Sequence, residues 1–85
     1  MSYVPGFAPD AKADWRELDT ELQERVLDEM ERLAVDPPSA PGAVFLTDFV
    51  LDSGNARHYV WMRYVLDRAA GTLTVTGIAH HLRRF

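Results

Sequence analysis

Two histidines and two arginines stand almost side by side near the end of the sequence, in the stretch GIAHHLRRF. The imidazoles of His80 and His81 can take up or release a proton near neutral pH. The guanidinium groups of Arg83 and Arg84 match the oxygens of a phosphate or a carboxylate. These residue types indicate three alternatives: proton transfer beside a phosphate, a metal site, or a polar strand end.

Strand geometry disfavours the metal site. Consecutive strand residues point to opposite faces, so His80 and His81 could bind one ion only if the strand had already ended. His58 would have to be the third ligand, because the chain has three histidines and no cysteine. We therefore expect no metal and no other cofactor. One of the paired histidines is expected on the packed side or at the sheet edge, and the other, His81, on the open surface.

Composition is typical of an ordinary globular protein. The 85 residues are 47% hydrophobic and 26% charged, which suits one domain with a modest core. No apolar run approaches the roughly 18 residues that would cross a membrane, and the N-terminus lacks a secretion-signal pattern. We expect a single domain over residues 1–85, located in the cytoplasm, with no membrane partner.

Charge is distributed unevenly along the chain. The net charge of −4 argues against a general nucleic-acid binder. However, residues 10–36 hold ten acidic and four basic side chains, a balance of −6, whereas residues 37–85 hold three acidic and five basic ones, a balance of +2. All three histidines lie in the second part. The second half can therefore still receive a polyanion.

The first half predicts a short helix followed by a longer one. Pro9 suits a first helical turn. Thr20, with Gln23 three residues later, has the capping-box spacing and predicts the start of the second helix, which Pro37 and Pro38 end. The apolar stripe of this second helix consists of Leu22, Val26, Met30 and Leu33, widened by Leu27 and Ala34.

The second half predicts three strands joined by short turns. The segments AVFLTDFVL, RHYVWMRYVLD and TLTVTGIA are rich in β-branched and aromatic residues, and DSGN and RAAG separate them. SYVPGFA can add a strand only at an edge, because Pro5 has no backbone donor. The predicted fold is α+β, with an N-terminal helical hairpin packed on one face of a 3–4-stranded antiparallel sheet, in the order (β)ααβββ.

Strand alternation also predicts which side chains share a face. We expect at least one of Tyr59 and Trp61 to pack in the core against Trp15 and Met30. In the last strand, strict alternation separates two sets: Leu73, Val75, Gly77 and Ala79 against Thr72, Thr74, Thr76, Ile78 and His80.

Two long stretches also have the order of motifs found in a known protein family. APDAKADWRELDTELQERVLDEMERLAVDPP and HYVWMRYVLDRAAGTLTVTGIAHHLRRF resemble the helical start and the closing hairpin of the RelE/ParE superfamily of bacterial toxins. The resemblance covers essentially the whole chain. It implies the toxin of a type II toxin–antitoxin module, with a cognate antitoxin as partner. RelE-like members are metal-independent ribonucleases that cut mRNA on the ribosome, and ParE-like members poison DNA gyrase.

The resemblance also implies changes at functional positions. Aligned without gaps, Tyr59 and Asp67 match the tyrosine and aspartate of the family strand, but Val60 takes the position of its reactive arginine. His81 takes the position of the arginine in the closing motif. Phe85 corresponds at best to a terminal tyrosine and has no hydroxyl to titrate.

Ribonuclease chemistry needs a base for the 2′-hydroxyl, cations for the phosphorane and an acid for the leaving oxygen. The candidate catalytic residues are His81, Arg83 and His58. The alternative is a protein that only binds, either a gyrase inhibitor or a degenerate toxin-fold protein. Its partners would then be DNA gyrase or the antitoxin rather than ribosome and mRNA. Whether the chain forms a homodimer is left open by the sequence. Residues expected to contact RNA or a partner are Arg57, Arg63, Arg84 and Phe85.

Arg57 and Arg63 each have a simpler interpretation. A surface charge beside a turn is the default reading of Arg57. For Arg63 we favour a cross-strand pair with Asp48.

Overall fold

The computed structural model describes residues 2–85, which form one sheet and two helices. The elements are β1 (Val4–Phe7), α1 (Pro9–Arg16), α2 (Thr20–Val35), β2 (Val44–Ser53), β3 (Ala56–Asp67) and β4 (Thr72–Arg84). The order of strands in the sheet is β1-β4-β3-β2. The predicted α+β order βααβββ is confirmed. Neither helix of this described part is long and apolar enough to cross a membrane.

β1 lies at the edge of the sheet, as the proline at position 5 predicts. It pairs in parallel with β4, whereas β2, β3 and β4 form an antiparallel meander. The two strands are parallel because the chain between them, which consists of α1, α2, β2 and β3, returns to the end of the sheet where β1 begins. The backbone amide of Val4 donates to the carbonyl of Gly71, and that of Tyr3 to the carbonyl of Ala34. β1 is thus fixed to both the sheet and α2.

The joint between the two helices differs from the predicted capping box. Asp19 precedes α2, Thr20 is already helical, and no side chain caps the helix start. Gln23 instead donates its side-chain amide to the carbonyls of Trp15 (3.1 Å) and Arg16 (3.2 Å). The indole Nε1 of Trp15 donates in turn to the backbone carbonyl of Gln23 at 3.1 Å. The polar side chain therefore joins α2 to the end of α1 rather than capping α2.

The core lies between α2 and the covered face of the sheet. The predicted stripe on α2 is buried except at Leu27, which is 39% exposed and lies on the flank of the helix, so its inclusion was wrong. α2 ends at Val35, just before the two prolines. The buried partners on the sheet are Phe49, Val60, Met62, Tyr64, Leu66, Leu73 and Val75.

Glu29 adds one polar contact beneath α2. Its carboxylate is almost fully buried and accepts hydrogen bonds from Arg32 Nε and Thr47 Oγ1. The hydrogen bond and charge of Glu29 raise the pKa of Arg32 above its ordinary value. A buried carboxylate is costly unless it is paired. Arg32 pairs with it from the same helix, and Thr47 links it to β2.

A β-bulge interrupts the last strand. Tyr64 pairs with Val75, but its neighbour Arg63 pairs with Gly77, so Thr76 is an extra residue in β4. Such an insertion bends the strand and shifts the phase of its side chains by one residue.

The bulge exchanges the two faces in the second half of β4. Ile78 pairs with Met62 and His80 with Val60, so both follow the helix-covered face. Strict alternation was therefore wrong for this half, because it keeps Ile78 and His80 opposite the buried Leu73. The residues that the bulge moves to the open face are Gly77, Ala79 and His81.

Two leucines on opposite faces of the sheet test this division. Leu73 is fully buried, so Leu73→Ala should lower the free energy of unfolding by about 2–5 kcal/mol. Leu46 is 78% exposed on the open face, and Leu46→Ala should change it by less than about 0.5 kcal/mol. Urea denaturation followed by circular dichroism measures both. Equal losses would contradict the assignment of faces.

Candidate functional site

The open face of the sheet, on the side away from the helices, carries aromatic and cationic side chains in adjacent rows. β3 presents Tyr59, Trp61 and the guanidinium of Arg57 there, and β4 presents His81 and Arg83. In the sheet register, Arg57 faces Arg83 and Tyr59 faces His81. We call these five residues the open-face cluster.

Ring contacts order the middle of the cluster. The Tyr59 and Trp61 rings have centroids 6.1 Å apart and planes inclined by 17°. The His81 ring lies 6.2 Å from that of Tyr59. Because Tyr59 lies between the other two rings, the imidazole of His81 is placed at the end of an exposed aromatic row.

Arg57 is held rather than free. Its Nε and Nη2 donate to the two carboxylate oxygens of Asp52 at 2.7 and 3.2 Å, and its guanidinium lies 5.4 Å from the centre of the Phe85 ring. The hydrogen bond from Arg57 holds the pKa of Asp52 below its ordinary value. Arg57 is therefore a surface charge beside the β2–β3 turn, as the simpler interpretation has it, and within the open-face cluster it is the member already paired with a carboxylate.

Arg63 does not form the pair with Asp48 that the sequence favoured. In the sheet register Asp48 faces Trp61, and Arg63 Nε donates to Thr76 Oγ1 at 3.1 Å. The Arg63 side chain lies across Gly77, where an added Cβ would meet its guanidinium at 3.5 Å. The extra residue of the bulge thus supplies the polar partner that Asp48 was expected to supply.

Tyr59 and Trp61 were expected to contribute at least one ring to the core, and this was wrong. Trp61 is 44% exposed, and both rings face the open side with Arg63. Trp15 packs against Phe7 instead, with ring centroids 5.4 Å apart. Along β3, side-chain alternation puts Tyr59 and Trp61 on the face away from the buried residues of that strand. This alternation was the sequence signal that the two rings lie on the open face.

His58 lies on the other side of the sheet from His81. It is 8% exposed, and its Nδ1 is 2.9 Å from His80 Nε2, with the two rings inclined by 16°. His58 therefore cannot act with His81 on one phosphate, which corrects the expected catalytic set. Among residues 2–85, no group of three histidine or acidic side chains is arranged to hold a metal ion.

The end of the chain divides between the two faces. Arg84 pairs with Ala56 on the His58 side of the sheet, so it does not extend the open-face cluster. The Phe85 amide donates to the Asn55 carbonyl at 2.8 Å, and its ring remains 67% exposed beside Arg57. β4 therefore continues through the predicted strand end as far as Arg84.

His80 borders a groove of about 250 Å³ beside α1. Burial lowers the pKa of His80 below its ordinary value, the nearby His58 lowers it further, and Asp19 opposes both. The groove is lined by Asp14, Glu17, Leu18, Ile78 and His80. Because the neutral form is favoured, one imidazole of the pair can donate to the other.

The imidazole pair predicts a pH-dependent stability. Because the folded chain lowers the pKa of His80, the unfolded chain binds its proton more tightly, so the stabilisation is complete above about pH 6.5 and is lost as the pH falls below it. We expect the free energy of unfolding to fall less between about pH 7.5 and pH 5 in His80→Gln than in the unmodified protein. Urea denaturation at each pH measures the difference.

His81→Gln is the matched control, because it leaves the contact between His58 and His80 in place. It should retain most of the fall in the free energy of unfolding, because His81 makes only the smallest of the contributions that lower the pKa of His80. An equal fall in His80→Gln would show that the pair does not couple stability to pH.

Comparisons with known proteins identify the fold. No protein-family model matches the chain, and no curated protein matches it. A mutant of the E. coli toxin RelE in the free state is similar, with a TM-score of 0.72 and 15% identity over 93% of this chain and 83% of that one. The intact E. coli RelBE toxin–antitoxin complex is similar with a TM-score of 0.65 and 17% identity, over 92% of this chain and 95% of that one. The archaeal RelE–RelB complex from Pyrococcus horikoshii has a TM-score of 0.61 and 13% identity, over 92% of this chain and 93% of that one. The chain has the RelE-like toxin fold.

Proposed function

We propose that residues 1–85 form the toxin of a type II toxin–antitoxin module, which inhibits growth in the cytoplasm by cleaving mRNA during translation. The observation that carries this proposal is the open-face cluster, where His81 and Arg83 lie beside an exposed aromatic row on a RelE-like fold. The same side chains on a covered face could not reach a polynucleotide.

The proposed chemistry divides between an imidazole and the arginines. His81 takes the proton from the 2′-hydroxyl or returns one to the leaving oxygen, since an imidazole titrates near neutral pH. Arg83 and Arg57 lie opposite each other in the register, about 5 Å apart at Cα. Their guanidinium groups can hold the phosphate oxygens on which charge develops. Tyr59 supports the His81 ring from the neighbouring strand.

Two observations favour the alternative, a toxin-fold protein that binds without cleaving. Val60, at the position where the sequence resemblance implies a reactive arginine, is fully buried. Arg57 is already paired with Asp52, which weakens its hold on a second anion. Such a protein would inhibit DNA gyrase or bind only an antitoxin.

The proposed partner is an antitoxin encoded by a neighbouring reading frame. Solved relatives of this fold include RelE toxins in complex with RelB. The open-face cluster carries apolar rings and arginines that a partner segment could cover, and covering it would block His81. The antitoxin would therefore inhibit by occupying the proposed active surface.

Induced expression in bacteria tests the proposal against its alternative. We expect growth arrest, mRNA cut within translated regions, unchanged DNA supercoiling, and rescue by co-expression of the neighbouring frame. Growth arrest with intact mRNA and altered supercoiling would favour gyrase inhibition. A folded protein without any toxicity would favour the protein that only binds.

The two adjacent histidines provide a matched pair of variants. His81→Ala should lower mRNA cleavage by about 10²-fold or more, the usual contribution of a general acid or base. His80→Ala should retain cleavage, because His80 follows the other face. Primer extension on a translated reporter mRNA measures both, with circular dichroism to verify folding. Full activity of His81→Ala would remove His81 from the mechanism.

A further inference from the structure

A shallow depression of about 280 Å³ lies on the open face beside the cluster. Gly77 and Ala79 form its floor, and Trp61, Arg63 and Leu46 stand around it. The depression exists because the two floor residues have no side chain or only a methyl group, whereas their neighbours on β3 are long. The bulge in β4 is what brings these two small residues to this face.

The width of the depression suits one planar ring. Trp61 and Arg63 are two residues apart on β3, about 7 Å at Cα, and the Arg63 guanidinium lies over Gly77 on the neighbouring strand. Atoms in van der Waals contact lie about 3.5 Å apart, so a flat ring between them would contact both. An indole and a guanidinium group both stack on planar rings. The pair can therefore hold a ring from two sides.

The surrounding charge suits an anionic chain attached to that ring. Arg63 and Arg83 lie on this face, and Arg63 uses Nε for Thr76, which leaves its Nη atoms directed over Gly77. Of the acidic residues on the same face, Asp52 is already paired with Arg57. Asp67 lies at the far end of β3, four residues from Arg63, and accepts a hydrogen bond from the Ala70 amide. Close to the depression, Asp48 opposite Trp61 is therefore the one carboxylate that stands against Arg63 and Arg83.

A flat ring joined to a negatively charged backbone is the chemistry of a nucleotide in a single strand. We propose that this depression is a subsite for one unpaired base of RNA, in which Trp61 and Arg63 stack on the base and Gly77, which has no side chain, leaves room for the Arg63 guanidinium. The inference rests on the proposed function for the choice of RNA. Ala79 is two residues before His81 on β4, about 7 Å away, so the bound base would lie next to the phosphate at His81.

Filling the depression tests the subsite. Gly77→Val places a branched side chain on the floor. The three atoms nearest to its Cβ would all belong to the flexible end of Arg63, and the φ of Gly77 is not positive. The control is Gly6→Val, the same substitution on the edge strand of the same sheet, where an added Cβ would meet nothing within 4 Å. Fluorescence anisotropy with labelled single-stranded oligouridine and oligoadenosine measures binding to the full chain.

We expect Gly77→Val to weaken binding about tenfold or more, as loss of one stacked base does, and Gly6→Val to leave it unchanged. Trp61→Leu, which keeps apolar volume without an aromatic ring, should also weaken binding. Trp61→Phe, which keeps a ring, should retain much of the affinity of the unmodified protein. Unchanged binding of both oligonucleotides by Gly77→Val and Trp61→Leu would overturn the proposal.

Other outcomes separate the subsite from the proposed function. If oligonucleotide binding depends on Gly77 but the unmodified protein cuts no mRNA, the subsite stands and the ribonuclease function fails. If Gly77→Val cuts the same mRNA positions at the same rate, the subsite fails and the function stands. If Gly77→Val loses only its rescue by the neighbouring frame, the depression is a pocket for a protein segment, which also overturns the proposal.

Discussion

The position of Thr76 in β4 decides which side chains face the helices over the second half of that strand. β4 must bury Leu73 and Val75 at its start, and without an extra residue the same alternation would direct His81 towards the helices. The bulge shifts the phase once, so that Ile78 and His80 continue the covered face. The open surface with His81 thus depends on this one unpaired residue and on its hydroxyl, which accepts a hydrogen bond from Arg63.

The phase shift also gives the two adjacent histidines different environments. His80 stacks on His58 above the acidic joint between α1 and α2, where burial favours its neutral form. His81 lies among rings and arginines on the face away from the acidic helices. Charge along the sequence is therefore separated in space as well, with the carboxylates of α1 and α2 on one side of the sheet. A polyanion that approaches the open face meets arginines before it meets those carboxylates.

The sequence predicted the parts of this structure that depend on local pattern. The stripe on α2, the proline end of that helix, the three long strands and the edge position of β1 all follow from spacing and backbone chemistry. The bulge could not be predicted, because Thr76 has no unusual backbone preference and is inserted only in the context of its partner strand. Gln23 was misread for the same reason, since its amide bonds a helix that becomes its neighbour only on folding.

The faces of β3 show a second limit. One side of the strand is mostly apolar, and the other combines two large rings with the charged residues Arg57, Arg63 and Asp67. The rings were expected in the core, whereas the charges of the same set indicated the open face. The covered set is the more apolar one, and it is buried under α2: Val60, Met62, Tyr64 and Leu66. Tyr59 and Trp61 remained outside, where Trp61 and Leu46 keep large apolar areas in water. Such exposure contributes nothing to the stability of the isolated domain, and contiguous exposed apolar surface usually marks a binding site. With the arginines around it, that surface is best explained by a ligand that is both aromatic and anionic.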